Sequence, residues 1–271
     1  ECRVIFLVVP SHGLRAVARH LGGDLDGSQV LIHAVKGIEP GTFKRMSQIL
    51  REETASRKIG VLSGPNLAKE VALHHPSATV IASRFEEVIE IGRNLLWCKS
   101  FRVYGNTDVI GTEMGGALKN VMAIASGIAT GLGFGMNTMA LLMTRGLAEI
   151  ARLGVAEGAQ LQTFQGLSGI GDLMATCFSP LSRNYQVGLR LAKGETLDDI
   201  VAGMSQVAEG VKTTRTVFEW SKASGVYMPI TEGVYRMLFD GARPQEVLSS
   251  LMDITKYVYE FDSPKPAKAG T

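Results

Sequence analysis

Short apolar runs recur five times in the first part of the chain, each separated from the next by a helical pattern. Continuous apolar strands that alternate with helices are typical of a parallel sheet covered on both faces, and right-handed crossovers make such a sheet doubly wound. The runs predict strands at Val4–Val9, Val30–Val35, Ile59–Leu62, Ala78–Ala82 and Phe101–Tyr104. The sequence therefore predicts an α/β fold with a parallel sheet.

The pattern changes at about Val109, after which strand signals largely cease and long helical segments follow. We therefore expect an α/β domain over residues 1–108 and an all-helical domain over residues 109–260. Residues 261–271 are rich in Pro, Lys and small side chains, which predicts a flexible tail.

The composition argues against several kinds of partner. A formal net charge of +2, without a run of five Lys or Arg residues, is not that of a nucleic-acid-binding protein. Cys2, Cys98 and Cys177 match neither a disulfide framework nor the spacing of a metal site. We therefore expect a cytoplasmic protein without a bound metal ion.

One long stretch requires a membrane test because it carries no charge between Lys119 and Arg145. Gly131, Gly133 and Gly135 divide it into two segments, each too short to span a bilayer. We expect two buried core helices joined by a glycine-rich bend, and no membrane span.

Polar and glycine residues directly follow three of the predicted strands, as Pro10-Ser11, Lys36-Gly37 and Ser63-Gly64-Pro65-Asn66. Ligands of parallel α/β sheets bind beyond the carboxyl ends of the strands, so this edge is the predicted cofactor and substrate site. A cation such as Lys36 can hold an anionic substrate there or help to polarise a carbonyl group. The Gly-x-Gly-x-x-Gly turn that usually binds a pyrophosphate does not follow the first strand, as though the first βαβ unit had been removed.

Lys119 is the first candidate for catalysis, because its helical neighbours at three and four residues are apolar or glycine. One interpretation is a lysine at a helix end that extends its ammonium group to water. The other is a buried lysine with a lowered pKa, for which Gly115 and Gly116 leave space for a ligand and Asn120 adds a polar group. Such a lysine can donate a proton to a ketone oxygen as hydride arrives.

Two later segments carry further candidates. Asp172 precedes an apolar helical run, so it is either an N-cap or, with Thr176 four residues later, part of a pocket near the lysine. The second segment predicts a helix capped by Ser179, with Arg183 and Asn184 in its first turn. An arginine at a helix N-terminus suits a phosphate group, whereas a surface arginine is the simpler interpretation.

These segments together resemble the NAD(P)-dependent glycerol-3-phosphate dehydrogenases of the bacterial type, from Val4 to about Leu251. The matching segments are Val8-Val9-Pro10-Ser11, Lys36-Gly37-Ile38-Glu39, Ser63-Gly64-Pro65-Asn66-Leu67-Ala68-Lys69-Glu70-Val71, Gly115-Gly116-Ala117-Leu118-Lys119-Asn120-Val121, Thr144-Arg145-Gly146-Leu147-Ala148-Glu149, Gly169–Cys177, Ser182-Arg183-Asn184 and Glu209-Gly210-Val211. The resemblance implies interconversion of dihydroxyacetone phosphate and sn-glycerol 3-phosphate, which serves phospholipid synthesis, with NAD or NADP as cofactor. It also implies a homodimer in which a Rossmann-like domain, here without its N-terminal part, precedes the all-helical domain.

The resemblance also implies roles for individual positions. The lysine that matches Lys119 donates and accepts the proton, and we add Asp172 as the second catalytic residue. The matching substrate positions are Lys36, Gly64, Asp172, Ser182, Arg183 and Asn184, to which we add Asn66, Lys119, Asn120 and Thr176. The matching cofactor positions are Lys36, Ala68, Arg183, Val207 and Glu209, to which we add Pro10. By pattern alone, Glu209 is a solvated loop glutamate.

The chain departs from the family in two ways. Asn66 stands where the family usually has Ser or Thr, and the glycine-rich turn is absent, so we expect weak cofactor binding or none. A 3-hydroxyacid dehydrogenase or a ketopantoate reductase is the alternative enzyme. In those proteins an Asn follows the catalytic lysine four residues later, whereas this chain has Ala123. A folded but catalytically incompetent truncated fragment is the non-enzymatic alternative.

Overall fold

The computed structural model describes residues 2–204 and 208–253. The strands are β1 (Val4–Leu7), β2 (Val30–His33), β3 (Ile59–Ser63), β4 (Ser77–Ser83) and β5 (Phe101–Asn106). The helices between them are α1 (Leu14–Gly22), α2 (Met46–Glu53), α3 (Ala68–Ala72) and α4 (Glu86–Leu96). The later helices are α5 (Val109–Gly131), α6 (Met136–Ala156), α7 (Leu161–Phe164), α8 (Asp172–Cys177), α9 (Arg183–Ala192), α10 (Leu197–Ala202), α11 (Glu209–Ser224), α12 (Pro229–Phe239) and α13 (Pro244–Met252).

The five strands form one sheet in the order β1-β2-β3-β4-β5, which confirms the predicted α/β fold. The expectation of a wholly parallel sheet is wrong for one pair, because β4 runs antiparallel to β3. The helix between them, α3, has five residues and rises only about 7.5 Å. It is too short to carry the chain back along the sheet. As a result β4 begins at the edge where β3 ends, and this brings Thr79 close to Gly64.

Helices cover both faces of the sheet. Adjacent residues of a strand point to opposite faces, and in β2 these are Leu31 and Ile32, both fully buried. Leu31 packs with Leu14 of α1 and Leu50 of α2, whereas Ile32 packs with Val88 of α4. This two-sided burial explains why a central strand such as β2 is apolar on both faces instead of alternating.

The helical part of the chain is built around α5, most of whose residues are buried. Helix α9 packs so closely against α5 that the two backbones are in contact. A Cβ on Gly188 of α9 would lie 2.0 Å from the carbonyl oxygen of Ile124 in α5. The predicted glycine-rich bend is confirmed, because α5 ends at Gly131 and α6 begins at Met136. Within the described part of the chain, no helix has the length and apolar character needed to cross a membrane.

Helix α5 begins at the place where the sequence pattern changes. The Asp108 carboxylate accepts a hydrogen bond from the backbone N–H of Gly111 at 2.9 Å and therefore caps the helix. It also accepts one from the Thr163 hydroxyl at 2.7 Å. The division into domains at residue 108 remains a proposal. The predicted tail, 261–271, and the last part of the predicted helical domain, 254–260, lie outside the described residues.

Candidate active site

Two lysines meet at one buried carboxylate. Asp172 is 1% exposed, and its Oδ2 accepts a hydrogen bond from Lys36 Nζ at 2.7 Å. Its Oδ1 accepts one from Lys119 Nζ, which also donates to the Thr176 hydroxyl at 2.7 Å. Lys36 Nζ lies 3.4 Å from the carbonyl oxygen of Gly64. The structure thus brings five of the predicted site residues into direct contact.

Lys119 lies in the middle of α5, so the interpretation of a lysine at a helix end is wrong. Only 6% of the residue is exposed, and its ammonium group contacts Asp172 and Thr176 instead of extending to water. Burial and the nearby charge of Lys36 together lower the pKa of Lys119 to about 8, against the opposing effect of Asp172. A lysine in this range exchanges its proton near neutral pH.

A turn of π-helix, Leu167–Gly171, places Asp172 opposite α5. Asp172 is the first residue of α8 and Gly171 is its N-cap, so the N-cap interpretation is wrong. The carboxylate instead turns toward the two lysines. Single π-helical turns often occur at functional sites, because they reorient a side chain within a helical segment.

The two glycines before Lys119 do not leave space for a ligand, contrary to our expectation. A Cβ on Gly115 would lie 2.3 Å from the carbonyl oxygen of Ser168, in the π-helical turn. A Cβ on Gly116 would lie 2.6 Å from Ser63 Oγ, at the end of β3. The glycines therefore allow both neighbouring segments to approach α5, and this approach brings Asp172 and Lys36 to Lys119.

Asn66 is held by β4 and does not point its amide outward. Its Nδ2 donates to Thr79 Oγ1 at 3.0 Å, and the Thr79 hydroxyl donates to the Ser63 carbonyl oxygen at 3.0 Å. Among the described residues, Asn66 Oδ1 and Ser63 Oγ have no hydrogen-bond partner. The sequence marked Ser63 only as part of the polar segment after the third strand, and it did not mark Thr79 at all. Thr79 was missed because the expected parallel direction of β4 would have placed it elsewhere.

The N-termini of α9 and α11 meet at Asn120 of α5. Asn184 Oδ1 accepts a hydrogen bond from the backbone N–H of Gly210 at 2.9 Å. A Cβ on Gly210 would lie 2.8 Å from the carbonyl oxygen of Asn120. Asn120 and Asn184, 7% and 8% exposed, are therefore packed against the site by three helices.

The predicted start of α9 is wrong by three residues. Ser182, not Ser179, is the N-cap, and its hydroxyl oxygen accepts from the Tyr185 N–H at 3.3 Å. Arg183 is the first residue of the helix and is exposed, so an arginine stands at the helix N-terminus, as predicted. This arrangement keeps the geometry that phosphate binding requires.

The predicted cofactor residues lie at the end of β1 and at two helix starts. Pro10 is exposed just after β1, and Ala68 is the exposed first residue of α3. Glu209 is the first residue of α11, not a loop residue, and its carboxylate accepts from the Ser11 N–H at 3.0 Å. The remaining predicted cofactor residue, Val207, lies outside the described residues.

The surface at this edge fits a nicotinamide group. Val8, at the end of β1, is 74% exposed and stands beside exposed Pro10, so a flat ring could cover apolar surface there. A Cβ on Gly37 would lie 2.5 Å from Ser11 Cβ. The glycine therefore allows the segments that follow β1 and β2 to lie close together. The described residues contain no group of three or more His, Cys, Asp and Glu placed to hold a metal ion.

Two family models match the chain. The model for the NAD-dependent glycerol-3-phosphate dehydrogenase N-terminus matches residues 1–89, and the model for the C-terminus of the same family matches residues 108–249. A relative from Macrococcus caseolyticus, named glycerol-3-phosphate dehydrogenase (NAD(P)+), is 46% identical over 259 residues, which are 94% of this chain and 78% of the relative.

Solved structures agree with these matches. The glycerol-3-phosphate dehydrogenase of Coxiella burnetii superposes with a TM-score of 0.88 at 34% identity, over 93% of this chain and 77% of that one. A ketopantoate reductase from Ralstonia eutropha superposes with a TM-score of 0.51 at 12% identity, over 92% of this chain and 77% of that one. The second likeness concerns the fold alone. The chain belongs to the NAD-dependent glycerol-3-phosphate dehydrogenase family.

Proposed function

We propose that this oxidoreductase interconverts dihydroxyacetone phosphate and sn-glycerol 3-phosphate with NAD or NADP. The observation that carries the proposal is a buried lysine, Lys119, held with a second lysine at one carboxylate, Asp172. Membership in the glycerol-3-phosphate dehydrogenase family supports the substrate pair. When bound, the nicotinamide supplies or accepts the hydride.

Lys119 carries the proton in this proposal. As the ketone carbon of dihydroxyacetone phosphate receives hydride, the protonated Nζ donates to the carbonyl oxygen, and an alcohol results. The neutral amine then regains a proton from water, and the reverse reaction uses it as the base. A pKa of about 8 suits both directions, because neither form of the lysine is rare near neutral pH.

Asp172 and Lys36 set the properties of Lys119. The carboxylate holds both ammonium groups, so Lys119 has one orientation toward the site. Lys36 adds a like charge, which favours release of the proton from Lys119. Lys36 is also the more exposed of the two, with a side chain 24% exposed, and it can therefore meet an anionic substrate.

The phosphate group of the substrate is assigned to the start of α9. Arg183 offers a guanidinium fork, and the first-turn N–H groups add the positive end of the helix dipole. Asn120 and Asn184 are assigned to the substrate hydroxyl groups because Asn120 follows Lys119 on α5 and Asn184 lies in the first turn of α9. The cofactor is assigned to the edge formed by Pro10, Ala68, Val207 and Glu209.

The test is NADH oxidation that depends on dihydroxyacetone phosphate. We expect Lys119→Ala to lower kcat by about 10²–10⁴-fold, the usual contribution of a general acid. Lys222→Ala is the matched control, because Lys222 also lies in a helix, but its side chain is 57% exposed and its ammonium group contacts Glu232 and the Phe218 ring instead of Asp172. In the wild type, kcat/KM for reduction should fall as the pH rises through about 8.

Three results would contradict the proposal. Full turnover in the Lys119→Ala variant would remove the lysine from the mechanism. Turnover of ketopantoate or a 3-hydroxyacid, with none of dihydroxyacetone phosphate, would favour the alternative enzyme class. A protein that binds neither NADH nor substrate would favour the non-catalytic alternative.

We also infer a cytoplasmic homodimer. Free thiols at Cys2, Cys98 and Cys177 suit a reducing compartment. The family resemblance supports the dimer, as does an apolar cavity of about 720 Å³ between α5, α6, α12 and α13, in whose lining Leu141 is 49% exposed. Light scattering of the purified protein measures the oligomeric state, and a monomer at micromolar concentration would contradict the inference.

A further inference from the structure

A second buried carboxylate lies on α5, outside the site described above. The side chain of Glu113 is 1% exposed. Its carboxylate accepts hydrogen bonds from the backbone N–H and the hydroxyl of Ser47, each at 2.7 Å, and from Arg45 Nη1 at 2.5 Å. The Nε2 atom of His33 lies 3.3 Å from Glu113 Oε1.

Glu113 cannot act on the substrate directly. It lies six residues before Lys119, which separates the two by about 9 Å along the helix and about 240° around it. Its partners all belong to the sheet domain: His33 ends β2, Arg45 precedes α2, and Ser47 is in the first turn of α2. Glu113 therefore joins the helix that carries Lys119 to the β2–α2 segment.

Lys36 lies within that segment. After β2 ends at His33, a connecting segment that includes Lys36 leads to Arg45, just before α2. Glu113 contacts this segment at both ends, at His33 and at Arg45. Between the ends, Ile38 pairs with Arg45 in an isolated β-bridge. The position of Lys36 relative to α5 is therefore set at both ends by one carboxylate.

We propose that Glu113 is a positioning residue, which holds the segment 33–47 against α5 so that Lys36 reaches Asp172 beside Lys119. The inference rests on the proposed function for its kinetic part only. Its structural part concerns which groups surround Lys119, and this can be measured without turnover.

The charge of Glu113 is constant over the working pH range. Burial alone would raise its pKa, but the His33 imidazole, the charge of Arg45 and the Ser47 N–H lower the pKa to about 2. The groups that face Lys119 are Lys36, Asp172, the Thr176 hydroxyl and the Cys177 thiol. Burial raises the pKa of Cys177 to about 12, so this thiol is neutral when Lys119 titrates.

Loss of Glu113 should therefore change Lys119 through Lys36. If Lys36 withdraws from Asp172, Lys119 loses a nearby like charge and keeps the whole carboxylate, and its pKa rises. In Glu113→Gln we expect the Lys119 pKa to rise by about one unit, measured by an NMR titration of isotope-labelled lysine side chains. We also expect the basic limb of kcat/KM to move upward and KM for dihydroxyacetone phosphate to increase about tenfold.

Glu149→Gln is the matched control. Glu149 is also buried and also joins two helices, since it accepts from the N–H groups of Ile230 and Thr231 at 2.8 Å each. None of the contacts described for its carboxylate involves the segment 33–47. We expect this variant to lose stability but to keep the wild-type KM and the wild-type Lys119 titration.

An unchanged Lys119 titration and an unchanged KM in folded Glu113→Gln would overturn the proposal, because a merely structural role lowers only the amount of folded protein. If Glu113→Gln does not fold, Arg45→Gln and Ser47→Ala each remove part of the cluster. They should shift both quantities in the same direction by less, and wild-type values in both would overturn the proposal. If the wild type lacks turnover, the proposed function fails, and the NMR titration still decides the role of Glu113.

Discussion

The lowered pKa of Lys119 has a consequence for stability. A lysine whose pKa is 10.5 in the unfolded chain and about 8 in the folded protein binds fewer protons when folded, between those two pH values. Stability therefore rises as the pH increases from about 8 to 10.5, and the folded protein carries a penalty below pH 8. Replacement by Met removes the titration and keeps an unbranched side chain of similar length.

The magnitude follows from the two pKa values. Each pKa unit corresponds to about 1.36 kcal/mol, so lowering the pKa from 10.5 to about 8 corresponds to about 3 kcal/mol. Lys119 is only 6% exposed, so solvent screening removes little of this energy. Asp172 keeps Lys36 as a counter-ion in the variant, which limits the new cost of an unpaired carboxylate.

The assay is urea unfolding of the wild type and Lys119→Met at a series of pH values. We compare the free energy of unfolding of the variant with that of the wild type. The difference should favour Lys119→Met most at pH 7, and it should shrink by about 3 kcal/mol by pH 10.5. The control is Met122→Leu, a substitution of similar volume at a fully buried position of the same helix. Its difference in unfolding free energy from the wild type should not vary with pH. If the difference in unfolding free energy between Lys119→Met and the wild type does not change with pH, the lowered pKa of Lys119 is refuted.

Two further predictions concern packing and a second titration. Gly116→Ala should destabilise the protein by about 1–3 kcal/mol in urea unfolding, because the new Cβ would lie 2.6 Å from Ser63 Oγ. Ser63→Ala should suppress most of that loss, since the next contacts are Lys36 Cγ at 3.6 Å and the Ser63 Cβ at 3.7 Å, both ordinary van der Waals distances; an equal loss in both backgrounds would contradict this. Burial raises the pKa of Glu149 from 4.5 to about 7, so the folded protein holds a proton there that the unfolded chain releases. The free energy of unfolding should therefore fall as the pH rises between those two values. Glu149→Gln should flatten that part of the pH–stability curve, and an unchanged slope would contradict the assignment.

The sheet was predictable from local patterns because its strands are buried on both faces. Continuous apolar runs placed all five strands within a few residues of their observed ends. The direction of β4 was not predictable in this way, since an apolar run reads the same in either direction. It depends on the length of α3, which the sequence pattern did not resolve.

The candidate site was predictable where chemistry marks a residue, and not where packing does. Lys119 and Asp172 stood out as ionisable groups in apolar surroundings. The role of Gly115 and Gly116 was not predictable. The sequence does not distinguish a glycine that lets a neighbouring segment pack closely from one that leaves space for a ligand. The cluster around Glu113 was missed because Arg45 and Ser47 lie 68 and 66 residues away along the chain.

The charges at the site link substrate binding to proton transfer. Two lysines share one carboxylate, so the cluster of Lys36, Lys119 and Asp172 carries a net positive charge when Lys119 is protonated. A phosphorylated ketone brings negative charge toward this cluster, and that charge favours the protonated form of Lys119. Under the proposed function, a lysine that releases its proton easily in the free protein therefore holds it more firmly when dihydroxyacetone phosphate is bound, which is the state in which the ketone oxygen needs it.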